Sequence, residues 1–167
     1  MTNLFPGDEV AKRLAAQTLL LGEFLAKHAP QFSPPKLARS AIVHGHCHQK
    51  AIMGMDADEA LLRKLGVRYQ LLDSGCCGMS GSFGFERGKA DVSVQIGELV
   101  LLPAVRAAAG DCLVIADGYS CREQIAQCTG REAVHLAEVA QMALARTNTD
   151  ASAVRADRET ANHAVSH

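Results

Sequence analysis

The chain has 167 residues, 48% of them hydrophobic and 21% charged, which suits one globular domain with a hydrophobic core of its own. Its formal net charge of -1 gives no electrostatic reason to expect nucleic acid or an anionic membrane surface as a partner. Since no apolar run is long enough to span a bilayer and the N-terminal region lacks the pattern of a signal peptide, we expect a cytoplasmic protein.

The N-terminal region predicts one long helix and then a buried strand. Apolar residues at helical spacing over residues 8–28 indicate an amphipathic helix, which ends before Pro30. The short apolar run Ala41–Val43 is typical of a buried strand, and it leads directly into the segment His44–His48.

The following residues alternate between helices and strands. The predicted elements are a helix capped by Asp56 or Asp58 and ended by Gly66, a strand at 67–72, a helix at 87–108 bent at Pro103, a strand at 111–116, a helix from about Arg122 to Cys128, a short strand at 132–135 and a helix at 136–145. This alternation predicts an α/β fold, in which a short parallel sheet is flanked by helices.

Three parts follow from this pattern. We expect an N-terminal helical segment at residues 1–39 and a cysteine-containing domain at residues 40–146. Residues 147–167 are polar and rich in alanine without a clear periodicity, so they are expected to form a disordered tail.

Each predicted strand leads into a segment that contains cysteine. Cys47 follows the first strand, the adjacent pair Cys76 and Cys77 follows the second in a glycine-rich stretch, and Cys121 follows the third. Because the C-terminal ends of parallel strands share one edge of a sheet, we expect these four thiols to converge there. Adjacent cysteines do not readily bridge each other, and in the cytoplasm a metal site or redox thiols are favoured over structural disulfides.

Four converging thiolates suit an iron–sulfur cluster or a tetrahedral zinc ion. The spacing differs from both the compact ferredoxin run and the paired C-x-x-C knuckles of common zinc sites. His44, His46 and His48 alternate around Cys47 and could supply a metal ligand or a proton relay, with His46 and His48 the preferred candidates because they adjoin Cys47. The plainer interpretation is that one or two of these histidines hold the loop backbone. Cys112 is expected to pack in the core, and Cys128 is expected to be structural unless its helix turns it towards the other cysteines as a further ligand.

The motifs Cys47, Cys76-Cys77-Gly78 and Cys121 together resemble the cysteine-rich CCG domain of heterodisulfide reductase B-type subunits and glycolate oxidase iron–sulfur subunits. The longer strings that begin at Gly75 and Gly118 are most similar to the C-terminal part of fused FAD-linked oxidases. The resemblance covers roughly residues 40–145.

The resemblance implies a 4Fe–4S cluster bound by Cys47, Cys76, Cys77 and Cys121. It also implies that the domain relays electrons from a flavin-containing subunit or domain towards a quinone or another carrier. The substrate of such a system is a 2-hydroxy acid such as lactate, glycolate or 2-hydroxyglutarate. Contacts with partners could then hold the chain peripherally at the inner face of the membrane.

The sequence departs from the family's fullest pattern at one position. The pattern ends in C-x-x-C, and Gly118 stands where that motif has an additional cysteine. Two alternatives therefore remain open, namely a zinc-binding structural or docking domain and a metal-free redox dithiol. Since the residues include no flavin-binding domain, we expect a component or fragment of an FAD-linked oxidoreductase that is not catalytic alone.

Overall fold

The computed structural model describes residues 4–146, which fall into two compact units that part after Phe32. The predicted disordered tail at 147–167 lies outside the described residues. The first unit contains helices α1 (Glu9–Gln17) and α2 (Leu21–His28). The prediction of a single helix over residues 8–28 is therefore wrong.

Side chains near the break account for the two helices. Thr18 donates its hydroxyl hydrogen to the Leu14 carbonyl oxygen at 2.8 Å and so closes the end of α1. The Glu23 carboxylate accepts a hydrogen bond from the backbone N–H of Leu20 at 2.8 Å, just before α2 begins. Because side chains satisfy backbone groups that a helix end leaves unpaired, the break costs little free energy.

The second unit is built on three parallel strands, β1 (Ser40–His44), β2 (Arg68–Leu71) and β3 (Leu113–Ala116), in the order β2-β1-β3. Val43 of the central strand is in register with Leu71 on one side and with Ile115 on the other. Helices flank this sheet, so the predicted α/β fold with a short parallel sheet is confirmed.

The helices of the second unit are short, and among the described helices none is long and apolar enough to cross a membrane. They are α3 (Cys47–Ile52), α4 (Asp56–Lys64), α5 (Ala90–Glu98), α6 (Leu101–Ala107), α7 (Tyr119–Thr129) and α8, which covers described residues 136–146. Gly66 follows α4 with φ +67°, as predicted for the end of that helix, but Met55 occupies the N-cap position in place of Asp56 or Asp58.

Two predictions about the second half of the unit need correction. The predicted helix over residues 87–108 is two helices, and the chain breaks at Leu99 and Val100 before Pro103. A proline ring collides with the carbonyl group four residues earlier, so the break places Pro103 in the first turn of α6, where proline is tolerated. The predicted strand at 132–135 is a single bridge between Val134 and Ile115, because α8 begins almost immediately afterwards.

Alternation along the strands divides the core between the two faces of the sheet. Ile42 and Val114 belong to a buried cluster with side chains of α6 and α7. Val43 and Ile115 point to the opposite face, where residues of α4 and α8 line the same small cavity. The result is a sheet between two helical layers, with the strand ends free to carry the loops that contain cysteine.

Candidate metal centre

The three cysteine segments meet at the C-terminal edge of the sheet. Cys47 is the first residue of α3, which follows β1, and Cys121 is the third residue of α7, which follows β3. Cys76 and Cys77 lie in the loop that follows β2. The thiols of Cys47, Cys76 and Cys77 all lie near enough to Cys121 to act on its ionisation. The structure therefore brings together the four cysteines that the sequence predicts as ligands.

The innermost part of the site contains two thiols and one imidazole. The sulfur atoms of Cys77 and Cys121 and a ring nitrogen of His44 all lie within 4.8 Å of one another. These three residues are buried, with exposed fractions of 3%, 2% and 2%. Cys47 and Cys76 are half-buried, and their thiols interact with each other. The site therefore extends from a dry interior to the protein surface.

The two buried thiols differ in acidity. Hydrogen bonding from the Cys121 thiol holds the pKa of Cys77 well below its ordinary value, and the nearby His44 ring and the Met79 backbone N–H lower it further. The same interaction with Cys77, together with burial, raises the pKa of Cys121. Burial also raises the pKa of Cys76, although the Gly78 N–H donates a hydrogen bond to its sulfur at 3.3 Å. The environment of Cys77 thus favours its thiolate form, whereas Cys76 and Cys121 must lose their protons to bind a metal.

The loop that contains Cys76 and Cys77 is anchored on α3 and β1. Lys50 of α3 donates hydrogen bonds to the carbonyl oxygens of Ser74 and, at 3.4 Å, Gly75. The Ser74 hydroxyl lies 2.7 Å from Nδ1 of His44. These contacts hold the loop, and with it Cys76 and Cys77, close to the segments that contain Cys47 and Cys121.

The same loop packs tightly against α5 on its other side. Gly78 has φ +100°, and a Cβ atom built on it would lie 1.9 Å from the carbonyl oxygen of Ser93. Gln124 of α7 donates a hydrogen bond from Nε2 to that same oxygen at 3.1 Å. The backbone at Gly78 therefore requires glycine, both for its conformation and for its close approach to α5.

Alternate spacing suggests that His44, His46 and His48 lie together, but the structure separates them. His48 is exposed, and His46 is half-buried with its ring 6.3 Å from that of His48. The compact donor group contains His44, which the sequence placed behind His46 and His48 as a candidate ligand, and it contains neither of those two. One signal could have found it: His44 lies two residues after the core residue Ile42, and therefore on the same face of β1.

The other residues considered from the sequence lie outside the donor group. The Cys112 side chain is half-buried against the core. Cys128 is at the far end of α7, where it interacts with Glu98 and Arg106. Arg122 donates hydrogen bonds to the carbonyl oxygens of Ala116 at 3.1 Å and Asp117 at 2.9 Å, so it holds the turn between β3 and α7.

A side chain at position 118 would require neighbouring side chains to shift. A Cβ atom on Gly118 would lie 2.9 Å from the Cys121 sulfur and 2.6 Å from Cδ2 of His46. A cysteine at this position would therefore displace the His46 ring. As the chain stands, the sulfur donors of the site come from the four cysteines described above.

The sulfur and nitrogen atoms of this site suit a metal that prefers thiolate and imidazole ligands. Four sulfur atoms converge, and Nε2 of His44 is buried without a hydrogen-bond partner among the described residues. Zinc and iron–sulfur clusters take such ligands, whereas calcium and magnesium prefer oxygen. The arrangement can therefore hold a metal ion or cluster at the sheet edge.

Comparison with known proteins shows similarity to segments of two kinds of dehydrogenase. The chain is 35% identical over 94 residues (54% of its length) to D-2-hydroxyglutarate dehydrogenase of Escherichia coli (strain K12), and covers 9% of that protein. It is 30% identical over 125 residues (74% of its length) to the D-2-hydroxyglutarate dehydrogenase of Pseudomonas putida, and covers 12% of it. It is also 30% identical over 110 residues (65% of its length) to the C subunit of anaerobic glycerol-3-phosphate dehydrogenase of E. coli (strain K12), and covers 27% of that protein.

The chain thus spans between about a tenth and about a quarter of the length of these curated relatives. No protein-family model and no solved structure matches it. The resemblance to the CCG domain accordingly stays a prediction from the motifs.

Proposed function

We propose that the chain is an iron–sulfur electron-transfer domain that acts with a flavin-containing partner in the oxidation of a 2-hydroxy acid. The observation that carries this proposal is the convergence of Cys47, Cys76, Cys77 and Cys121 at one edge of the sheet. Similarity to D-2-hydroxyglutarate dehydrogenases supports the substrate class. Similarity to the C subunit of an anaerobic glycerol-3-phosphate dehydrogenase supports a role as one component of a larger assembly.

The residues around the site have distinct proposed roles. The four cysteines hold the cluster, which supplies one-electron transfer when bound. The backbone N–H groups of Gly78 and Met79 stabilise the negative charge on the sulfur atoms. Cys77 and Cys121 exclude water from the interior, while half-buried Cys47 and Cys76 place the site near the surface for exchange with a partner. Oxidation of the hydroxy acid itself belongs to the partner, and delivery to a quinone and a cytoplasmic location remain predictions.

Metal analysis of the whole chain tests this proposal. Protein purified without oxygen is expected to contain iron and acid-labile sulfide in equal amounts, about four of each per chain for a cubane held by four cysteines. Cys76→Ser is expected to lose most of this iron because it removes one ligand. Cys112→Ser is the matched control, since Cys112 lies outside the donor group, and its iron content should match that of the unaltered protein. Equal iron in both variants would contradict the assignment of Cys76.

A zinc site with a structural or docking role is the second candidate. It is favoured by the compact group of His44, Cys77 and Cys121, because two thiolates and an imidazole within 4.8 Å suit a single tetrahedral ion. In this case the protein is colourless and contains about one zinc per chain without sulfide. That result would remove the electron-transfer role, because zinc has no redox chemistry in proteins.

A further inference from the structure

His44 carries a buried nitrogen atom that no described residue satisfies. The residue is 2% exposed, and its Nε2 atom has no hydrogen-bond partner among residues 4–146. Its other ring nitrogen, Nδ1, lies 2.7 Å from the hydroxyl of Ser74, which is also buried. Buried polar atoms in folded proteins nearly always have a partner, so an unpaired imidazole nitrogen beside thiols requires an explanation.

The position of the ring is fixed by the sheet. His44 is the last residue of the central strand β1, and it is in register with Ala116 of β3. Its side chain shares a face of the strand with Ile42, whose cluster includes Cys77 and Cys121. A rigid element therefore holds one ring nitrogen of His44 within 4.8 Å of both buried sulfur atoms.

The contact with Ser74 has a second consequence. When Nδ1 carries the proton and donates it to the Ser74 oxygen, Nε2 is left with a free lone pair inside the protein. Histidines that bind metals commonly use this arrangement, in which one nitrogen donates to a neighbouring oxygen and the other coordinates the metal. Ser74 is thus a positioning residue that holds the orientation of the ring, and as the acceptor of this hydrogen bond it would also select the tautomer.

We propose that His44 binds the metal of this site through Nε2, so that the site has mixed sulfur and nitrogen ligation. The inference rests on the metal site of the proposed function, and it applies to a zinc ion as well as to an iron–sulfur cluster. In a zinc site, His44 completes the tetrahedron with Cys77, Cys121 and one further cysteine. In an iron–sulfur cluster, His44 binds one iron in place of one of the four cysteines of the proposed function, so that three cysteines and one histidine hold the cluster; histidines replace cysteines in the same way in Rieske centres.

X-ray absorption spectroscopy of the full chain, at the edge of the metal found by analysis, tests the inference directly. For zinc, the expected spectrum contains an imidazole nitrogen at about 2.0–2.1 Å besides sulfur at about 2.3 Å. For an iron–sulfur cluster, a nitrogen at bonding distance is expected together with a nitrogen hyperfine coupling in the reduced protein. A spectrum with sulfur ligands alone overturns the inference, and so does a nitrogen that lies beyond bonding distance.

Variants identify the residue that supplies the nitrogen. His44→Ala is expected to lose the nitrogen signal and to bind the metal at least tenfold more weakly. His28→Ala is the matched control, because His28 is an exposed histidine of the first unit, and it should retain both signal and affinity. Ser74→Ala retains His44 but removes the hydrogen bond that orients its ring. We therefore expect a weaker nitrogen signal than in the unaltered protein. If His44→Ala does not fold, the spectrum of the unaltered protein decides the question by itself.

The outcomes separate this inference from the proposed function. Iron and sulfide with sulfur-only ligation would support the electron-transfer role and overturn the role of His44. Zinc with a nitrogen ligand would support His44 and overturn the electron-transfer role. A protein that binds neither metal would overturn both.

Discussion

Gly78 shows how one residue sets the geometry of the site. Its positive φ and its contact with the Ser93 carbonyl oxygen bring the loop directly against α5. The backbone N–H of the same residue donates to the sulfur of Cys76. Gly75, on the other side of the cysteine pair, has an ordinary φ and open space around it. Two glycines that look equivalent in the sequence therefore have very different constraints.

We predict that Gly78→Ala lowers the free energy of unfolding by about 2–6 kcal/mol. The new methyl group adds backbone strain of roughly 1–3 kcal/mol and overpacking of roughly 1–3 kcal/mol. Gly75→Ala should change it by less than about 0.5 kcal/mol. Urea denaturation of both variants measures the difference. Similar midpoints for the two variants would show that the loop rearranges without cost.

At the scale of whole elements, α5 and α7 are joined by a buried polar contact beneath the cysteine loop. Gln124 of α7 donates from Nε2 to the carbonyl oxygen of Ser93 at 3.1 Å and to its hydroxyl at 3.3 Å. Both side chains are buried, with exposed fractions of 3% and 1%. Ser93 in turn donates to the sulfur of Met79 at 3.6 Å. The contact therefore links two helices to the segment that follows Cys77.

Truncation of Gln124 tests this link. Gln124→Ala is expected to lower the free energy of unfolding by about 1–3 kcal/mol, because buried hydrogen-bonding groups lose their partner. Gln127→Ala provides the control on the same helix, since Gln127 is exposed, and its effect should stay within about 0.5 kcal/mol. The comparison is made by thermal and urea unfolding of the metal-bound protein. If Gln124→Ala lowers the free energy of unfolding no more than Gln127→Ala does, Gln124 does not stabilise the contact between the two helices.

At the scale of the whole molecule, the candidate ligands come from segments far apart in the chain. The segment after β1 provides Cys47, the loop after β2 provides Cys76 and Cys77, and α7 provides Cys121. A metal bound by these residues would join the ends of all three strands. Since the unfolded chain does not hold such a site, metal binding adds to the stability of the folded second unit.

Metal removal should therefore lower the stability of the fold. We expect treatment with a chelator to lower the melting temperature of the unaltered protein. For a single zinc ion, the change corresponds to about 4 kcal/mol at a free metal concentration a thousandfold above Kd. Cys76→Ser, with its weakened site, should show a much smaller response to the same treatment. Calorimetry with and without chelator measures both. An unchanged melting temperature after complete metal loss would contradict a site that joins the three strand ends.

Local patterns in the sequence were sufficient to predict the parallel sheet. Short apolar runs followed by cysteine segments predicted three parallel strands, and the strands are present at Ser40–His44, Arg68–Leu71 and Leu113–Ala116. The shared edge of a parallel sheet then predicted that the four cysteines converge. These features depend on chain order and side-chain alternation, which a sequence displays directly.

Helix boundaries and the choice of histidine depended on tertiary structure. The breaks at residues 18–20 and 99–100 depend on individual hydrogen bonds and on the exact position of Pro103, which hydrophobic periodicity averages over. Helix α3 is only six residues long, too short to give a periodic signal.

What the sequence determined by itself is the fold class and the set of cysteines that share one edge of the sheet. Only the tertiary structure decided which histidine faces them. His44, His46 and His48 would share one face if the strand continued, but β1 ends at His44 and a helix begins at Cys47. This change from strand to helix leaves His44 buried with the thiols and turns His48 to solvent, because side-chain direction follows the local backbone.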